Sequence, residues 1–104
     1  MATFKSTATR NLGTTATTIH TALTGSVVIG LNAANIYPTE LPISVWHRRG
    51  GNNTYIIKEF RVGPGKTEEL MRGNKIVLEA GDTLQASTAL ANGFDVLVSA
   101  LEGV

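Results

Sequence analysis

Two histidines, two aspartates, six glutamates and no cysteine are the side chains best suited to holding a transition metal or moving a proton near neutral pH in this sequence. His20 and His47 fall in separate β-type runs, without the i, i+4 spacing of a helical metal motif and without an acidic neighbour in sequence. No metal site is expected from them. His47 continues the face of Ile43 and Val45, so it is read as a strand-end histidine capping the core. The pair Glu68-Glu69 alternates faces in a strand and makes no carboxylate dyad. One Trp, two Tyr and three Phe are too few to line the sugar cleft that a two-carboxylate glycosidase needs.

Gly63-Pro64-Gly65-Lys66-Thr67 ends like a phosphate loop, but Phe60 stands five residues before Gly65, where that motif needs its first glycine. A strand precedes it and no helix follows, so the helix N-terminus that would bind phosphate is missing. It is read as a turn. Arg48, Arg49, Arg61 and Arg72 cluster near turns as a solvated rim, without the interleaved aromatics of a single-strand nucleic-acid site. The expectation is therefore a protein without catalytic residues, cofactor or metal.

The elements that would carry these residues are strands. The chain of 104 residues has room for one domain with a core shared between two sheets. Its polar residues are mostly Thr, Ser, Asn and Gly, with only 16% charged, a balance that favours strands and turns. A formal charge of +1 without a charged block points to neither nucleic acid nor anionic lipid. No signal-type apolar run opens the sequence and no stretch approaches the ~20 apolar residues of a membrane helix. A soluble protein folded in the cytosol of its producing cell is expected.

Gly, Pro and Asn punctuate β-type runs about every ten residues, the spacing of a sandwich or jelly roll. The runs are Thr3–Arg10, Thr14–Leu23, Ser26–Asn32, Ile43–Arg49, Thr54–Val62, Thr67–Met71, Lys75–Glu79, Thr83–Thr88 and Phe94–Leu101. The fold expected is an all-β, single-domain antiparallel β-sandwich, jelly-roll-like, of eight or nine short strands over residues 1–104. Residues 1–12 form an extended N-terminal arm or edge strand. In the third run Val27, Ile29 and Leu31 are read as one face. Asn35–Pro42 passes between sheets, and hairpins are placed at Arg49–Asn53 and at Asn92-Gly93.

Trp46 alternates with Val45, which places it outward beside Arg48, and interfaces enrich both residue types; a register shifted by one residue would instead put Trp46 in the core. The last run is apolar on both faces, as in a central strand or one that meets a partner. Candidate protein-interface residues are accordingly Trp46, Arg48, Arg49, Tyr55, Leu97 and Leu101.

The opening Ala2-Thr3-Phe4-Lys5, the run Thr14–Ile19, Val28-Ile29-Gly30-Leu31-Asn32, Gly63-Pro64-Gly65 and the stretch Lys75–Leu84 together resemble the small β-sandwich virion proteins of tailed bacteriophages. The resemblance runs through almost the whole chain and rests on strand and turn signals. It implies a structural role in the head, neck, tail or baseplate of a virion assembled in the host cytoplasm. It also implies a trimer or ring-type homo-oligomer in contact with another virion protein. The Trp46–Arg49 segment departs from the pattern. The competing reading is a carbohydrate- or receptor-binding β-sandwich module, for which Asn52, Asn53, Tyr55 and Trp46 are the available set.

Overall fold

A computed structural model describes residues 2–103, all of whose regular elements are strands. They are β1 (Thr3–Leu12), β2 (Thr17–Thr21), β3 (Ser26–Asn35), β4 (Leu41–Arg49), β5 (Asn52–Val62), β6 (Thr67–Glu69), β7 (Ile76–Leu78), β8 (Thr83–Thr88) and β9 (Phe94–Glu102). One sheet has the order β1-β9-β3 with β6 and β7 side by side along the far edge of β3; the other is β2-β8-β4-β5. All pairings are antiparallel. Counting β6 and β7 as one interrupted strand gives two four-stranded sheets whose strands cross from sheet to sheet along the chain, which is a jelly roll.

Among the described residues only β4 and β5 are joined as a tight hairpin. Arg49 pairs with Asn52 across Gly50-Gly51, whose φ angles are 56° and 84°. Positive φ at both central residues matches the twist of the flanking strands and suits glycine. The hairpin expected at Asn92-Gly93 does not form, because β8 pairs with β2 and β4 while β9 lies in the other sheet between β1 and β3. The pair serves close packing instead. A Cβ on Gly93 would lie 2.8 Å from Leu41 Cδ1 and 2.9 Å from Thr88 Cγ2, closer than any side chain tolerates.

The third run also differs from simple alternation. Val28 pairs with Ala100 but Gly30 pairs with Ser99, so Ile29 is an extra residue, a β-bulge. The bulge exchanges the faces: Val28 and Leu31 are buried, whereas Val27 and Ile29 look outward. The Thr67–Met71 run is a strand only to Glu69, after which the chain loops out, so on the edge away from β9 the β3 backbone at Leu31 faces neither β6 nor β7. Glu69 Oε2 accepts from the Leu31 amide at 2.9 Å, and the Leu70 amide donates to the Leu31 carbonyl at 2.8 Å, so neither group is orphaned. Burial works against the Glu69 carboxylate, but amides of Leu31, Gly73, Met71 and Arg72 outweigh it and hold its pKa below the usual value.

The core lies between the sheets. Val28, Leu31, Phe94, Val96 and Val98 from one sheet meet Ile19, Ile43, Val45 and Leu84 from the other, with Leu12, Val62 and Leu78 closing the ends. Buried Asn35 joins the β3–β4 crossing to β5: its side-chain amide donates to Thr39 O and Val62 O, and its Oδ1 accepts from the Tyr37 amide. Among described residues no buried side-chain polar atom lacks a partner.

The bulge is testable through stability. Leu31→Ala should cost about 2–5 kcal/mol in chemical denaturation, whereas Ile29→Thr should stay within about 0.5 kcal/mol. Similar losses for the two would place Ile29 inward.

Candidate functional site

The chemistry-bearing side chains gather in two clusters, each built around a histidine and a carboxylate that the fold brings together from distant parts of the chain. In the first, Asp82 stands in the turn entering β8 and His47 and Arg49 end β4, which pairs with β8. Asp82 Oδ1 accepts from Arg49 Nε at 2.8 Å. Its Oδ2 accepts from Arg49 Nη2 at 2.6 Å, His47 Nε2 at 3.0 Å and the Glu79 amide at 2.9 Å. The two-pronged Arg49 contact is a fork matched to a carboxylate, stronger and more directional than a lysine contact would be.

Hydrogen bonds from Arg49 and then His47 hold the Asp82 carboxyl far below the usual carboxylate range, against the opposing effect of desolvation. The same bond raises the Arg49 guanidinium. A carboxylate so fully engaged is a poor base, and the cluster instead pins the β4–β5 hairpin to the β7–β8 turn. His47 thus lies on the inward row with Ile43 and Val45, half-buried, with Asp82 as its partner.

The second cluster joins the two sheets. His20, on β2, is buried, and its Nε2 lies 2.9 Å from Glu102 Oε1 on β9 and 3.4 Å from Ser26 Oγ on β3. Its Nδ1 lies 2.9 Å from Thr7 Oγ1 on β1. An ionised Glu102 can only accept, so Nε2 carries a proton and, in the neutral ring, Nδ1 accepts from the Thr7 hydroxyl. Hydroxyl, imidazole and carboxylate form a continuous hydrogen-bonded chain on one side of a cleft of about 610 Å³, also lined by Lys5, Ser6, Thr21 and Thr24. Neither pair is visible in the sequence, because Glu102 and Asp82 are 82 and 35 positions from their histidines. Sheet topology is what carries them there. No group of three or more His, Cys, Asp or Glu side chains converges for a metal among the described residues.

The residues singled out as interface candidates divide between the sheets. Trp46 faces outward, away from the shared core, yet is only 5% exposed. Its ring lies 5.4 Å from that of Tyr55, tilted by 47°, and its Nε1 donates to Gln85 Oε1 at 3.2 Å. Lys58 Nζ sits 5.1 Å above the Tyr55 ring. Arg48 donates to Asn53 across the hairpin, and Arg49 is engaged by Asp82. Leu97 and Leu101 lie on the outward face of the other sheet, Leu97 exposed and Leu101 half-buried. Phe4, which is 76% exposed, and Val77, at 66%, join them on that face without any local signal in sequence. Their outward direction follows from pairing with Leu101 and Val27.

No family model matches the sequence, and no curated protein matches it significantly. Among solved structures the fold is similar to a protein described under "Bacillus endospore appendages form a novel family of disulfide-linked pili", with a TM-score of 0.59 and 13% identity over 99% of this chain and 88% of that one. A chain from the infectious bursal disease virus Gx strain aligns with a TM-score of 0.49 and 11% identity, over 98% of this chain and 33% of that one. The likeness to the pilus protein is one of fold.

Two outcomes follow from the clusters. Because the folded pKa of Asp82 is depressed, its contribution to stability is complete above the unfolded value of about 4 and is lost as pH falls toward the folded one. The melting temperature should therefore fall progressively below about pH 5, and Asp82→Asn should lower it at pH 7 while flattening that acid slope. An unchanged slope in the variant would remove Asp82 as its source. Zinc or calcium at sub-millimolar concentration should leave the melting temperature unchanged, and a rise of several degrees would reveal a metal site.

Proposed function

We propose that the chain is a non-enzymatic structural subunit that works by packing against copies of itself and a neighbouring assembly protein. The observation that carries this reading is the set of large apolar side chains left uncovered on one sheet, Phe4, Ile29, Val77 and Leu97. A surface of this kind marks an interaction site. The jelly roll is a fold used in assembled protein shells, and the similarly folded Bacillus protein is described as part of a pilus. Both agree with a building block of a larger particle or filament.

Within that class we favour a virion component of a tailed bacteriophage, an accessory of the head, neck or tail, on the strength of the strand and turn pattern along the chain. A surface appendage is the neighbouring possibility, supported by the pilus protein's fold. The carbohydrate-binding alternative is weaker. Trp46 is already packed against Tyr55 and bonded to Gln85, and Asn53 accepts from Arg48, so the set at the hairpin has little left to offer a sugar.

Mass spectrometry of purified virions and of detached surface filaments from the producing cells tests the reading. Enrichment in virions with stoichiometric copy number is expected. Enrichment in filaments would assign the chain to an appendage instead, and presence in neither would overturn the structural role.

A further inference from the structure

The outward face of the β1-β9-β3-β7 sheet is organised in rows. Pairing aligns Phe4, Leu101, Val27 and Val77 in one row across all four strands. The next row is Ser6, Ser99 and Gly30, with bulged Ile29 beside them. Neither row carries a charge. The third, Ala8, Leu97 and Asn32, reaches a charge only at Glu69 on β6, whose carboxylate is held by the amides of Leu31 and Gly73.

The two uncharged rows differ in height. Ser6 and Ser99 are small, and between the projecting Phe4 and Ile29 they leave a shallow depression of about 350 Å³, bordered also by Lys5 and Ala100, which pair with each other in the row between and alternate to the other side of the sheet. A Cβ on Gly30 would only touch Ser99, at 3.8 Å, so glycine there keeps the row beside Ser99 low rather than relieving a clash. A knob and a dent thus lie side by side on one face.

We propose that this face packs on the same face of a second copy about a two-fold axis, with Phe4 of each subunit seated in the depression over Ser6 and Ser99 of the other. The inference deepens the assembly reading by naming the face, the partner and the anchor. Two considerations select a second copy. An isologous contact sets each patch against itself, so any net charge on it meets its own sign; these two rows have none to repel. The outward face of the other sheet, with Arg48 and with Lys58 above Tyr55, would bring like charges together. The second consideration is shape, since the projecting group and the recess that receives it belong to the same surface. Sheets packed in this way lie about 10 Å apart with strands roughly aligned.

Sedimentation velocity of the full chain across micromolar concentrations should show a reversible dimer or an even-numbered oligomer. Phe4→Asp should weaken association by roughly thirtyfold or more, as expected for a central aromatic anchor, and Ile29→Asp should do likewise. Arg48→Asp should leave association unchanged. Because the chain has no cysteine, Ser99→Cys supplies a single thiol, and a short bis-maleimide should capture it as a covalent dimer that Phe4→Asp abolishes. Circular dichroism of each variant separates lost association from lost folding. A wild type that is monomeric throughout overturns the proposal, as does association that survives both Phe4→Asp and Ile29→Asp in folded protein. The latter result would leave the assembly reading standing through another surface, whereas absence from virions and filaments would overturn that reading independently.

Discussion

The pairing of β3 with β9 is the contact on which the rest of the molecule depends. It runs from Ser26 opposite Glu102 to Asn35 opposite Phe94, and it places β9 between β3 and β1 at the centre of its sheet. The single extra residue within it, Ile29, sets which side chains enter the core and which remain outside. A strand without the bulge would shift half of β3 by one position and turn Leu31 toward solvent. Core packing, the uncharged outer rows and the depression beside Phe4 all follow from that one insertion.

The two histidine clusters act at the places where this two-sheet arrangement needs help. Hydrophobic packing holds the sheets together in the middle, but it is weak at the margins, where strands end and polar groups must be satisfied. His20 meets that need with bonds to Thr7, Ser26 and Glu102, linking β2 to three strands of the opposite sheet. Asp82 does the same for the turn before β8, gathering Arg49, His47 and the Glu79 amide on one carboxylate. Both are polar closures of a small domain without disulfides.

Much of the architecture was legible from local signals. Thr-rich first runs suggest outer strands, and β1 and β2 are indeed sheet edges; the apolar run Phe94–Leu101 suggests a central strand, and β9 is one. Gly50-Gly51 announces its hairpin because the signal and the constraint are both local. Asn92-Gly93 gives the same kind of signal for a different purpose, since the close approach of Leu41 and Thr88 cannot be seen in sequence. The Ile29 bulge was equally hidden: apolar residues occupy Val27 to Ile29 without a break, so no polar residue marks the extra position. Alternation in sequence leaves Trp46 either outward or, with the register shifted by one, in the core, and its cover by Tyr55 and Gln85 depends on partners nine and 39 positions away. The carboxylate partners of the histidines were illegible for the same reason.

The pairing of Thr3 with Glu102 brings the beginning and the end of the described chain to one corner of the sheet. Tension applied to those two points would separate β1 from β9 as a zipper opens, loading one pair of backbone bonds at a time instead of sharing the force along the strand. A load applied at Thr3 and Glu102 would therefore open this edge of the sheet early. The same load carried on the broad face is shared by four strands, so the face bears a force that this corner does not.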